Sequence, residues 1–394
     1  MARRRRFPLA TLLSIALGLF AWHTPPAGAV GADLPSSLTN QQFWSLVDEL
    51  SEPGGVFGSD NLLSNEMSFA SLVPALAARP SPSAVYLGVG PEQNFTYIAA
   101  MKPRMAFITD IRRGNLHLQL MYKALFEMSV DRAEFVSRLF TKPRPSGLTA
   151  SSTVIELMNA YWDVYSSDEA AFAANLQAIQ DHLTKTRGLP LPPDDLAGIA
   201  RVYRAFYWYG PGMTYLADTS LRMQSTPAEA GILPIIAFHT YRDLMSQVDE
   251  EGYGLSYLAS EARFAFLKDL ERRNLIVPVV GDFSGPKALR AIGTYVRKQR
   301  ATVGAFYVSN VESYLRREEK WSAFCANVAA LPLSAVSVFI RPWGSGISGG
   351  NRNADGTVRS VSYRPAGGSG LLTPISSEVK GCGAPGKTAQ PLVW

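Results

Sequence analysis

Two glycines, Gly88 and Gly90, close an apolar run, and an acid, Asp110, closes the next such run 22 residues after Gly88. Glycines at the end of a buried strand let a ligand approach the backbone, and a carboxylate at the end of the following strand is placed to hold ribose hydroxyls. The chemistry this predicts is nucleoside binding. Glu92 and Asn94 stand where a helix begins beside the glycines and are expected to bind the ligand with them, and a carboxylate in a first helical turn repels a pyrophosphate. With no third glycine in Gly-Val-Gly-Pro-Glu, the expected ligand carries a nucleoside without a diphosphate.

Other residues around this turn have reactive types. Arg112 and Arg113 can clamp a carboxylate bidentately, or form a solvated basic pair. His117, just beyond them, is a candidate general base; the alternative is a helix-face histidine with a structural hydrogen bond. Asn310 and Glu312 close another apolar run on the expected ligand side, where a pocket role competes with helix capping by Asn310. Tyr207, Trp208 and Tyr209 precede Gly-Pro-Gly and read either as a lid over an apolar or cationic substrate or as core. The four histidines show no tight metal-ligand spacing, and two cysteines make no thiolate site, so no metal is expected. Cys325 sits on an apolar helix face and reads as a buried free thiol, with one bridge to Cys382 as the alternative in an oxidising compartment.

AVYLGVG from Ala84, a helix over residues 92–101 and MAFITDI make a βαβ unit, whose strands are expected to be parallel. Helices alone follow, then LIVPVVGDF, TVGAFYVSN and SAVSVFIRP restore the alternation of strand and helix. The expected architecture is α/β: a Rossmann-like, doubly wound, mostly parallel sheet over residues 84–343, with a helical insertion at 150–225 between its second and third strands. Residues 30–83 form a lead-in with a helix from Asn40 to Leu50 capped by Thr39. Residues 344–394 form a Gly/Ser/Pro-rich tail expected to be largely disordered, in which only Thr357 to Arg364 alternates like a strand.

In this order the motifs resemble those of class I S-adenosylmethionine methyltransferases: YLGVG, Asp110, VVGDF and YVSNVE, over roughly residues 84–140 and 256–341. The chain also resembles an uncharacterised bacterial family on that fold, through LGVGPEQNF, DIRRGNLHL, GDFSGP and FYVSNVE. The resemblance implies S-adenosylmethionine as cofactor, Asp110 on its ribose, Asp282 and Phe283 bordering its adenine, and Ser309, Asn310 and Glu312 beside the transferred methyl group. An exported, non-catalytic binding protein on the same fold is the alternative.

Arg3 to Arg6, an apolar stretch from Phe7 to Trp22 and the Ala27-Gly28-Ala29 site read as a secretory signal, with Arg4, Arg5 and Phe7 loosely matching the twin-arginine pattern. Retained, the same stretch would be a membrane anchor. Its removal takes four arginines from 38 basic residues, leaving 34 against 33 acidic ones, so the formal charge of +5 is mostly a targeting feature. A near-neutral chain without a dense basic run argues against nucleic acid as partner and for a small molecule.

Overall fold

Strands β1 (Ala84–Val89) and β2 (Met105–Asp110) are buried along their whole length. Near-continuous apolar runs of this kind suit strands covered on both faces. The computed structural model describes residues 33–58, 60–79, 84–162, 164, 168–215, 239–341, 351–352, 358–362 and 371–379. Residues 1–32, with the expected secretory signal, lie outside them. Among the described residues no helix is long and apolar enough to cross a membrane.

Both strands belong to a six-stranded sheet, as does every later apolar run singled out in the sequence. The two-residue β3 (Gln247–Val248) stands apart, in a small sheet with β7 (Asn351–Arg352) and β8 (Val358–Ser362). The main sheet adds β4 (Ile276–Val280), β5 (Thr302–Tyr307), β6 (Leu333–Arg341) and β9 (Leu371–Pro374), in the order β4-β2-β1-β5-β6-β9. The first five strands are parallel and β9 is antiparallel. Leu87 stands opposite Phe107 on one side and Phe306 on the other, which centres the core on β1. The chain runs outward from β1 through β2 to β4 and returns to the other side at β5. The reversal leaves a crevice at the C-terminal ends of β1 and β5.

The tail, expected to be largely disordered, holds three short strands and one helix among its described residues. Its alternating stretch forms β8 in the small sheet, and Leu371–Pro374 completes the main one. Four residues between Gly370 and the helix at Ile375–Val379 are too few for periodicity to reveal a strand.

Helices α1 (Asn40–Leu50), α2 (Val73–Ala77) and α3 (Gln93–Met101) lie within or next to the lead-in and the first crossover. Thr39 caps α1 through a reciprocal pair of bonds with Gln42, as its sequence predicts. Between β2 and β3 run α4 (Arg113–Met128), α5 (Arg132–Phe140), α6 (Val154–Trp162), α7 (Glu169–Asp181) and α8 (Pro193–Tyr209), the last three within the expected insertion. The core around α4 and α5 is aromatic: Phe126 and Phe135 lie 4.7 Å apart between centroids, with Tyr122, Phe206, Tyr257 and Phe264 around them.

Later helices are α9 (Tyr241–Met245), α10 (Glu261–Arg272), α11 (Ala288–Lys298), α12 (Val311–Arg317) and α13 (Trp321–Ala329). The last two are separated by a break at residues 318–320. Glu319 adopts φ +57°, and the Lys320 amide turns back to the Leu315 carbonyl, a left-handed stop that polar residues tolerate.

Candidate functional site

Gly88 is required by what packs behind it. A Cβ there would stand 1.9 Å from Asn94 Oδ1 and 2.8 Å from the Tyr86 ring. Asn94, fully buried, accepts from the Tyr86 hydroxyl and donates to the carbonyls of Val89, Gly90 and Pro91. The side chain thus braces the turn from behind and is not offered to a ligand. Gly90, at φ +77°, makes the turn itself and opens onto the crevice.

That crevice is a cleft enclosing about 990 Å³, open solvent included. Gly90, Asp110, Arg112, Asp282, Phe283, Ser309 and Asn310 all line it. Most of the expected cofactor residues therefore converge on one site, brought there by the ends of β1, β2, β4 and β5.

The same geometry reassigns several residues. Glu92 faces away from the cleft, fully buried, with Oε1 accepting from the Ser64 amide. Burial pushes its carboxyl up to about 8, against the hydrogen bonds from its own and the Ser64 amide. It is neutral around pH 7, so the expected repulsion of a pyrophosphate by Glu92 does not arise.

Arg112 and Arg113 do clamp carboxylates, but the chain's own. Arg112 donates through its amide and Nε to Asp110 Oδ1, through Nη2 to Oδ2 at 2.7 Å, and through Nη1 to the Asp60 carbonyl. Arg113 holds Asp195 of α8 by two 2.6 Å bonds.

His117 is a correction. Its Nε2 lies 2.8 Å from Asp195 Oδ1, between α4 and α8, and it does not line the cleft. Burial lowers its pKa against the pull of Asp195. Helical periodicity carries it one turn past Arg113 onto the same face, so both meet Asp195 and neither reaches the mouth.

Glu312 is likewise committed, accepting two bonds from Arg341, which also holds Glu378. The aromatic stretch is no lid over this cleft: Tyr207 packs on Phe172 at 4.9 Å, Trp208 is exposed, and Tyr209 is half-buried, all at the end of α8. Cys325 is not a free thiol but disulfide-bonded, and Cys382 is the one other cysteine in the sequence.

One wall of the cleft comes from the lead-in. Glu52 and Gly55 hydrogen-bond through their amides to the carbonyls of Val280 and Ile111. Glu52 Oε1 also accepts from the amides of Lys287 and Ala288, capping α11. Laced down this way, the segment presents Val56, Phe57, Asn61, Leu63, Ser64 and Asn65 to the cleft, and Phe57 meets Tyr314 edge-on at 5.0 Å.

Beneath the floor lies an unforeseen group. Half-buried Glu66 accepts from Ser309 Oγ at 2.6 Å and from the Tyr307 hydroxyl at 2.5 Å. Tyr307 in turn accepts from Gln93 Nε2 at 2.6 Å. Burial raises the Glu66 carboxyl to about 7 against the hydrogen bonds from Ser309 and Tyr307. Ser309 sits at φ +50°, a conformation uncommon outside glycine and found where side chains are aimed. Glu66 lies in a loop with no periodic neighbours, so no pattern in the sequence marked it.

The chain belongs to the family described as Domain of unknown function (DUF7790). The family model matches residues 62–188 and 226–362, which hold the glycine turn, Asp110, Asp282, Ser309 and Glu66 alike. No curated protein matches the chain. Among the described residues no cluster of His, Cys, Asp or Glu is arranged to hold a metal ion.

Proposed function

We propose that this DUF7790 protein binds a nucleoside ligand of the S-adenosylmethionine type in the cleft and is methyltransferase-like, with an acceptor not yet identified. The observation that carries the reading is the convergence of Gly90, Asp110, Asp282, Phe283, Ser309 and Asn310 on the crevice where the strand order reverses. With Glu92 out of the cleft, the preference against phosphate rests on charge instead. Three lining carboxylates, Asp110, Asp282 and Glu318, face two lining cations. Both cations are paired: Arg112 with Asp110, and Lys320 with Glu318 at 2.8 Å and Asp282 at 3.7 Å. A neutral or cationic ligand, such as a sulfonium, suits that balance better than a pyrophosphate. S-adenosylmethionine would supply an electrophilic methyl group. Asp110 would hold the ribose through lone pairs left over from Arg112, and Phe283 would stack or border the base.

The competing reading is an exported, non-catalytic binder on this fold. Two observations favour it: Asp110 already has an internal partner, and a disulfide at Cys325 fits an oxidising compartment, where that cofactor is scarce. Titration calorimetry separates the two. Saturable binding of S-adenosylmethionine, lost in Asp110→Ala, is the expected result; no heat at millimolar ligand would leave the non-catalytic binder as the surviving reading.

A further inference from the structure

Gln93 lines the cleft, is 2% exposed, and has an Oε1 with no hydrogen-bond partner among the described residues. A buried amide oxygen left unmatched is destabilising, and a bound donor would relieve that. Its orientation is dictated from below. Glu66, as a carboxylate, can only accept, so Ser309 and Tyr307 must both donate to it. The Tyr307 hydroxyl then has only lone pairs to offer Gln93. Gln93 must present its NH2 to Tyr307, which leaves its carbonyl oxygen, buried in the cleft wall, without a donor.

We infer that Glu66, Tyr307 and Gln93 form a proton-set recognition subsite, in which the charge on Glu66 decides whether the floor of the cleft accepts or donates a hydrogen bond to the ligand. With Glu66 ionised, Gln93 Oε1 takes an N–H or O–H of the ligand. A proton on Glu66 Oε2, the oxygen that meets Tyr307, reverses the chain: Glu66 donates to Tyr307, Tyr307 donates to Gln93 Oε1, and the turned amide offers NH2 to the cleft. The ionisable groups facing Glu66 are phenols, Tyr86 from β1, Tyr97 from α3 and Tyr307 from β5, each driven well above its ordinary value first by burial. They stay neutral throughout, so the switch belongs to Glu66, whose burial places it near neutrality. The inference rests on the cleft being the ligand site and adds the class of group bound at its floor: an amine, amide N–H or hydroxyl at alkaline pH.

The test uses the full chain with 15N-glutamine, the Gln93 side-chain resonances being assigned by their loss in Gln93→Leu. The probes are acetamide, which donates and accepts, and N,N-dimethylacetamide, which only accepts. At pH 8.5 acetamide is expected to titrate the Gln93 resonances about tenfold more tightly than dimethylacetamide, the effect of one hydrogen bond. At pH 5.5 the preference falls to about one. Glu66→Gln and Tyr307→Phe each make the ratio independent of pH. A ratio that ignores pH in the wild type, or that still changes in Tyr307→Phe, overturns the inference. Loss of S-adenosylmethionine binding with the Gln93 switch intact counts against the proposed cofactor alone.

Discussion

At the scale of single residues, one buried amide, Asn94, holds the glycine turn from behind. Gly90, Asp110, Asp282 and Ser309 were legible because a strand end fixes where its last residue points. Asn94 was not, since its job is to bind Val89, Gly90 and Pro91 carbonyls and the Tyr86 hydroxyl from behind. Asn94→Ala should therefore leave three carbonyls of the turn short of a donor and destabilise the fold by about 3 kcal/mol, the scale of unmet buried hydrogen bonds. Urea unfolding at constant slope measures it. A change below about 0.5 kcal/mol would mean that the turn holds itself.

At the scale of elements, the helices and strands were readable from periodicity and stop signals, whereas the bonds that dock them were not. Thr39 announces α1, and Asp131 caps α5 as its type suggests. Nothing local announces that Asp195 on α8 joins α4 through Arg113 and His117. Asp195 is 1% exposed and accepts all three bonds, and its carboxyl lies below the usual range because these bonds outweigh its burial. Replacing it by Ala leaves Arg113 and His117 facing each other without a counter-charge. Because Arg113 is half-exposed and burial favours neutral His117, the loss is that of hydrogen bonds to a charged group, about 1.5–3 kcal/mol. Asp195→Ala should lose that much in denaturant, with S-adenosylmethionine binding to whatever remains folded unchanged, since none of the three side chains lines the cleft. A variant of normal stability that fails to bind would return His117 to the functional site.

At the scale of the whole molecule, buried carboxyls tie stability to pH. Glu92 and Glu66 have folded values raised to about 8 and about 7, so the native state keeps protons that the unfolded chain releases above about 4.5. Stability linked to them is fully present below that value and is lost as pH rises through 7 and 8. Glu271 adds to the same trend, raised to about 8 by burial against the nearby Lys123. Glu127 acts on the other side. Its carboxyl is lowered to about 2 because bonds from His182 and Arg187 and the charge of Lys123 outweigh its burial, so its contribution fades only as pH falls below about 4.5. The groups facing Glu92 are the phenols Tyr122, Tyr241 and Tyr257, from α4, α9 and the turn before α10, and burial keeps all of them neutral. Ionising Glu92 thus creates a fully buried charge among neutral rings. The melting temperature should fall steadily from pH 6.5 to pH 8.5. Glu92→Gln, which keeps an oxygen for the Ser64 amide, should flatten that slope by up to one proton, about 1.4 kcal/mol per pH unit. Calorimetric melts of both proteins across the range decide it. Parallel slopes would show that Glu92 is already ionised in the native state, and a pyrophosphate would then be repelled from the glycine turn after all.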